Sequence, residues 1–267
     1  MRPQVVAHRG ASFENAEHTL EAYTKALDAG AEGLECDVRL TADGHLVCLH
    51  DRDLTRTARS RGLVSTMNLA ELDELDFSSW KHPWADLDDE AEEQLPGRVL
   101  PLRRLLETVA DHPRRVELAI ETKHPTRYAG LVERRLVEML AEFGWTGPDS
   151  PARVMSFSYR ALERTKRMAP DLDVVMLIEK ARHWPMLRQL VGEDWKVGPG
   201  VEQLRKHPGL GEHLLRSGRD IHVWTVNTPE DLRLCLDLGV KAVITDRPRF
   251  MLDLLGIGPG QQAKEAR

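Results

Sequence analysis

Short apolar runs alternate with stretches of helical period along this chain, the pattern of parallel strands joined by crossover helices. The runs fall at residues 4–7, 33–37, 46–49, 116–120, 153–156, 174–178, 195–197, 221–224 and 242–245. Between them, apolar recurrence predicts helices over 19–29, 102–110, 127–143, 159–168, 201–216 and 229–238, with Leu131, Leu136 and Leu140 marking one buried face. Gly30 stands just past the first helix, where a C-terminal glycine is wanted. Nine strands are one more than a (β/α)8 barrel uses. The surplus is 46–49. Only eight residues, Val38 to His45, separate it from Asp37, and they include the tight-turn pair Asp43-Gly44. A parallel crossover needs about a dozen residues, so an antiparallel hairpin is expected here, with the other eight strands parallel. With the turn centred on Asp43-Gly44, His50 should fall roughly opposite Asp37. The predicted fold is α/β, a TIM-type (β/α)8 barrel with a small insertion after the second-strand hairpin.

That insertion, residues 51–97, is too long for an ordinary βα loop. It holds a helix-like segment at 69–75, the aromatic group Phe77, Trp80 and Trp84, and an acidic run at 86–93. The tryptophans are expected to form a mini-core rather than a substrate lid, and the acidic run a solvated face. Residues 1–255 are expected to form a single barrel domain, which suits a length of 267, and residues 256–267 a flexible tail.

Composition narrows the function. Apolar residues at 41% and charged residues at 30% can build a core, which excludes a disordered chain. Lys and Arg number 37 against 43 Asp and Glu, and a net charge of −6 argues against a nucleic-acid binder. No apolar run approaches about 18 residues, and Val5-Val6-Ala7 is too short for a secretory signal core, so no membrane span and a cytoplasmic location are expected. Cys36, Cys48 and Cys235 form no zinc pair or disulfide framework and read as buried thiols.

Candidate chemistry gathers at strand ends, which in a parallel barrel share one rim. The first strand exits into His8-Arg9-Gly10, the second ends in Glu35-Cys36-Asp37, the strand at 116–120 runs into Glu121-Thr122-Lys123, and the last reaches Thr245-Asp246-Arg247. Residues two apart on a strand share a face, so Glu35 and Asp37 point together, as do Glu121 and Lys123. Three carboxylates converging in low dielectric repel one another unless protonated or bound to a cation. Oxygen ligands without a thiolate select Mg²⁺ or Ca²⁺. A structural network with Arg39 or Lys123 is the plainer alternative for the carboxylates. His8 and His50 at strand ends beside such a cluster form an acid–base pair. The other histidines, His18 and His124 among them, are expected at the surface. Arg9 and Lys123 suit phosphate oxygens, which favours phosphoryl transfer over glycoside hydrolysis.

These residues resemble the glycerophosphodiester phosphodiesterase family. The chain reads AHRGASFEN at 7–15, ECDVRLTADGHLVCLHD at 35–51, IETK at 120–123, SFS at 156–158, VWTVN at 223–227 and ITDRP at 244–248, in the family's order. The resemblance implies a TIM-type barrel, a divalent metal, and hydrolysis of glycerophosphodiesters to sn-glycerol 3-phosphate and an alcohol, as in lipid and glycerol metabolism. It suggests Glu35, Asp37 and Glu121 as metal ligands and His8 and His50 as base and acid, an order the residues alone do not fix. It implies Arg9 and Lys123 as phosphate contacts, and Phe157 and Trp224 as apolar walls for the glycerol or head group. The partner would be a small-molecule substrate, with the chain a monomer or homodimer. Where the family usually reads PENT, this chain has Ala16-Glu17-His18-Thr19. Without the proline the turn is less rigid, and His18 in the asparagine's place could read a different alcohol. Two alternatives remain: a lysophospholipase D or phosphoinositide-type enzyme on the same scaffold, and a non-catalytic phosphate-ligand binder.

Overall fold

The computed structural model describes residues 2–81 and 97–258. Its strands are β1 (Gln4–His8), β2 (Gly33–Leu40), β3 (Leu46–Cys48), β4 (Glu117–Thr122), β5 (Ala152–Ser156), β6 (Asp173–Ile178), β7 (Lys196–Pro199), β8 (His222–Val223) and β9 (Ala242–Thr245). Every expected strand is present. Eight of them run parallel in the order β7-β6-β5-β4-β2-β1-β9-β8. Parallel bridges between Val197 and Ile221 and between Gly200 and Trp224 join the two ends of that row. With helices between the strands, this is a nearly closed TIM-type barrel.

The surplus strand β3 pairs antiparallel with β2, as the short connection requires. Its register is one residue from the expected one. Leu40 faces Leu46, and the Leu49 amide donates to the Asp37 carbonyl at 3.0 Å, so Leu49 rather than His50 lies opposite Asp37. The turn explains the difference. Ala42, Asp43 and Gly44 form a three-residue loop closed by the Thr41 amide on the His45 carbonyl, with Gly44 in the left-handed region at φ +86°. Because β3 stops at Cys48, the offset does not bury His50.

Side chains on the strands divide by alternation. One phase of β2, β4, β5 and β6, including Leu34, Cys36, Leu118, Ile120, Val154 and Met176, packs outward under the helices. The other phase, Val6, Ala119, Met155, Val175, Leu177, Ala242 and Ile244, forms a separate cluster inside the barrel. The helices cover the outer phase and end where the sequence punctuates them. Thr19 caps Leu20–Asp28 by accepting from the Ala22 amide at 3.2 Å. The single helix expected over 201–216 is instead two, Val201–Lys206 and Pro208–Arg216, because Pro208 cannot donate to the preceding turn. A further helix, Pro248–Leu254, follows β9.

Within the insertion, Phe77 packs with Val47, Leu49, Leu54, Val64, Leu72 and Val99 in a satellite core. Trp80 is not part of it. Its indole N–H donates to the Phe77 carbonyl at 3.0 Å, and the Arg56 guanidinium and the Lys81 ammonium both lie against its ring. Among the described residues Phe77, not Trp80, supplies the aromatic side chain of this satellite core. A ring carrying two cations on the rim keeps more of its surface near water than a core position allows. Trp84, the acidic run at 86–93 and the end of the tail lie outside the described residues. Cys36, Cys48 and Cys235 are buried and unpaired, as expected.

Candidate active site

The inward phase of the barrel, continued past the apolar layer, supplies the site. Val6 leads to His8, Ala119 to Glu121 and Lys123, Met155 to Phe157, and Ile244 to Asp246. On β2 the same phase carries Glu35 and Asp37. The carboxylates of Glu35, Asp37 and Glu121 come together, with one oxygen of each within 4.8 Å of the others. The sheet makes this convergence inevitable, since β2 and β4 are neighbours with Asp37 directly beside Glu121.

All three carboxylates are buried, and their charges are unequal. Burial raises Asp37, but Lys123, Arg9 and a hydrogen bond from His18 outweigh it and hold Asp37 well below the ordinary carboxylate range. Burial and the neighbouring Asp37 charge push Glu121 up to about 7 and Glu35 well above its usual value. Lys123 Nζ lies 2.9 Å from Asp37 Oδ1 and 2.9 Å from Glu121 Oε1. The plainer expectation of a carboxylate network with Lys123 therefore has a basis, whereas Arg39 instead donates twice to the His50 carbonyl. Asp37 Oδ1 nonetheless makes no properly directed hydrogen bond despite its burial. Two carboxyls pushed upward by burial and crowding beside an ionised third, in an all-oxygen donor set, fit a hard divalent cation.

Arg9 takes a left-handed conformation at φ +59°, which turns its backbone N–H onto Glu35 Oε2 at 3.1 Å. Gly10 follows at φ +87°, and a Cβ there would sit 2.6 Å from the Ala22 backbone, so only glycine fits. The Arg9 guanidinium bridges Asp37 at 2.9 Å and Glu17 at 3.0 Å.

His18 is not at the surface. It is almost wholly enclosed, with Nε2 3.0 Å from Asp37 Oδ2 and Nδ1 2.8 Å from the Tyr23 hydroxyl. Burial lowers its pKa, and its Nε2–H faces the ionised Asp37. It braces a carboxylate from below instead of facing an alcohol. His124 is also drawn inward, bonded to buried Glu133 at 2.8 Å, and His222 is buried in the barrel. The surface expectation fails for all three because each lies where loop or strand geometry aims it inward, information that residue type does not carry.

His8 and His50 each have a carboxylate behind the ring. His8 Nδ1 is 2.6 Å from Asp246 Oδ1, and His50 Nδ1 is 2.7 Å from Asp51 Oδ1. Each Nδ1–H is thus committed, leaving Nε2 as the free nitrogen. His8 Nε2 stands 4.0 Å from Glu35 Oε2. Asp246 is fixed by Ser12 at 3.1 Å and Asn227 at 2.6 Å, both neutral donors. Asp51 is instead paired with the Arg56 guanidinium at 2.6 Å. Burial first, then the charges of Arg9 and Lys123, lower His50 to about 4 against the opposing pull of Asp37 and Asp51.

Arg56 also reaches Glu17 at 2.7 and 2.8 Å, so Glu17 ties the first rim loop to the insertion. Burial works against the Glu17 charge, but hydrogen bonds from Arg56 and the charge of Arg9 hold its pKa down to about 2. A depressed carboxylate contributes stability above its unfolded pKa and loses it as pH falls through the folded value. The shift corresponds to about 3 kcal/mol. Urea midpoints of the wild type and Glu17→Gln should accordingly differ most above about pH 5 and converge toward pH 2. A gap independent of pH would mean that Glu17 acts by packing alone.

These groups open onto a cavity of about 400 Å³. His8, Arg9, Glu35, His50, Glu121 and Lys123 line one half, while Phe157 and Trp224 wall the other with ring centroids 5.6 Å apart in an edge-to-face pair. Every residue expected at the site is therefore at this rim, with Asp37 beneath it. The unassigned Asp246 sits in phase with Ile244 and Glu179 in phase with Leu177, so strand alternation could have found both. His18, on a loop, had no such signal.

The model of the glycerophosphoryl diester phosphodiesterase family matches residues 8–250. The chain belongs to this family. A protein of Mycobacterium tuberculosis named "Probable glycerophosphodiester phosphodiesterase 1" is 43% identical over 250 residues, covering 92% of this chain and 90% of that protein. A glycerophosphodiester phosphodiesterase of Caldanaerobacter subterraneus subsp. tengcongensis is 30% identical over 97% of this chain and all of that one. Among solved structures, a phosphodiesterase of Oleispira antarctica in complex with the product sn-glycerol-3-phosphate superposes with a TM-score of 0.79 at 25% identity, covering 96% of this chain and 97% of that one. As a member of the glycerophosphoryl diester phosphodiesterase family, the chain is a phosphoric diester hydrolase. Among its described residues no helix is long and apolar enough to cross a membrane.

Proposed function

We propose that this protein hydrolyses small glycerophosphodiesters to sn-glycerol 3-phosphate and an alcohol, with Glu35, Asp37 and Glu121 holding a Mg²⁺ or Ca²⁺ ion and two histidines moving the protons. The observation that carries the reading is the pair of carboxylate-backed imidazoles, His8 on Asp246 and His50 on Asp51, opening onto one cavity with an acidic triad. The bound cation would supply Lewis-acid neutralisation of charge on the phosphoryl oxygens. Arg9 and Lys123 are the cationic side chains available to orient the diester.

His8 is the better base. Asp246 shares its charge with no cation, so it supports the imidazolium that forms when His8 Nε2 takes the proton of the substrate's glycerol 2-hydroxyl. The alkoxide attacks phosphorus and closes a cyclic phosphate while His50 protonates the departing alcohol. Asp51 spends much of its charge on Arg56, so His50 gives up a proton readily, and a docked diester anion favours its charged form beforehand. Water then opens the ring with the two roles exchanged. A lysophospholipase D would need an apolar surface for acyl chains beside the cavity, whereas Trp80 carries the Arg56 and Lys81 cations against its ring.

The test is product analysis on soluble glycerophosphodiesters by phosphorus NMR. Release of sn-glycerol 3-phosphate, with a transient cyclic phosphate, is expected. Release of free phosphate or of the phosphorylated alcohol, or binding without turnover, would exclude the proposed reaction.

A further inference from the structure

A second cavity, of about 670 Å³, lies between the segment after β6 and the pair of helices after β7. It shares no lining residue with the catalytic cavity. All its lining residues fall between 180 and 213, a stretch that none of the six sequence blocks resembling the family reaches. Lys180, Arg182 and Arg188 come from the first segment, His207 and His213 from the second, and no carboxylate is among the lining residues. The carboxylates nearby in sequence turn elsewhere. Glu179 lines the catalytic cavity, Glu202 pairs with Lys206 at 3.0 Å, and Glu212 with Arg216 at 3.6 Å. Three cations around one cavity without a counter-charge stand out in a chain of net charge −6.

The other polar groups of the lining also present donors. Gln203 Oε1 accepts from the Ala181 amide at 3.0 Å, which ties the two walls together and leaves the side-chain NH₂ to donate. A guanidinium only donates, so the 2.8 Å contact of Arg188 Nη1 with His213 Nε2 makes that ring nitrogen the acceptor and puts the imidazole proton on Nδ1. Trp184 is buried, and its indole N–H has no acceptor among the described residues. Gly209, at the start of helix Pro208–Arg216, has open space where a Cβ would stand, so its position leaves the positive end of that helix uncovered. A wall of cations and donors whose acceptors are spent is complementary to an anion. Two guanidiniums suit the forked geometry of phosphate oxygens, and a volume above the roughly 400 Å³ of the catalytic cavity leaves room for an organic body against Pro185 and Leu210.

We propose that this cavity is a second ligand site, apart from the catalytic one, for an organic phosphomonoester, with Lys180, Arg182 and Arg188 on the phosphate and Gln203 and the start of helix Pro208–Arg216 completing the donors. A phosphomonoester carries up to two negative charges near neutral pH, which matches the excess of cations better than a carboxylate or a diester does. The site stands on its own residues and does not depend on which diester the catalytic cavity cleaves.

The experiment titrates the isotope-labelled, metal-loaded protein with AMP and with glucose 6-phosphate, two phosphomonoesters of different body. Binding is followed at the tryptophan indole N–H signals by NMR, the Trp184 signal being assigned with Trp184→Phe. At least one ester should move that signal saturably, inorganic phosphate should bind about tenfold more weakly, and adenosine and glucose should not bind. Arg182→Ser and Arg188→Ser should each weaken binding of the ester about tenfold or more, whereas Lys123→Ser, in the catalytic cavity, should leave it unchanged. Binding lost in Lys123→Ser but kept in both arginine variants would place the phosphate in the catalytic cavity and overturn the proposal. Inorganic phosphate bound as tightly as the esters would overturn it as well, and so would a Trp184 signal unmoved by either ester at millimolar concentration.

Discussion

Chelation should abolish turnover by about 10³-fold or more, and Mg²⁺ or Ca²⁺ added back should restore it. The expectation follows from the charge imbalance at the triad. Asp37 is ionised, while Glu35 and Glu121 are driven toward protonation by burial and by the Asp37 charge. Only a further positive charge lets all three ionise together, and each carboxyl brought back to its charged form adds to the ion's binding. Glu121→Gln removes one ligand and keeps the shape. It should weaken cation binding, read by isothermal titration, and lower kcat by a comparable factor at ordinary metal concentrations. Full activity in a rigorously metal-free preparation would reassign the triad to structure, with Lys123 as its partner.

Removing either imidazole should be nearly as severe. His8→Ala and His50→Ala are each expected to lose about 10²–10⁴ in kcat, or about 3–5 kcal/mol. The two losses can be told apart by the leaving group. A nitrophenyl ester of glycerol phosphate departs without a proton, so His50→Ala should recover most of its rate on that substrate while His8→Ala stays slow. Equal losses on both substrates would deny the proposed division of labour. Asp246→Asn keeps the shape of the side chain but removes its charge and one of its two acceptor oxygens. It should depress kcat through His8 with little change in KM, the signature of an interaction made in the transition state.

The strands and most of the rim were legible because both depend on period two. An apolar residue facing the barrel interior fixes where the residue two places on will point, so Val6 and Ala119 announce His8 and Glu121 before any coordinates exist. The neighbouring positions of β2 and β4 then follow from barrel topology. Loops carry no such period. His18 reads as an ordinary polar residue after the first strand, yet a left-handed backbone at φ +61° turns it under Asp37. The hairpin was predicted as a turn and misplaced by one residue, because Asp43-Gly44 suits both a two-residue and a three-residue loop. Tertiary pairing, not local preference, made the choice. The cations beside Trp80 escape local reading for a related reason: they come from Arg56 and Lys81, one of them 24 positions away.

The ammonium of Lys123, set between Asp37 and Glu121, amounts to an internal placeholder for the missing positive charge. Sodium or potassium at the proposed ion site would bring no more charge than the side chain already contributes. A dication would double the attraction over the same distances, which the three carboxylates of the proposed ion site need to offset its larger dehydration cost.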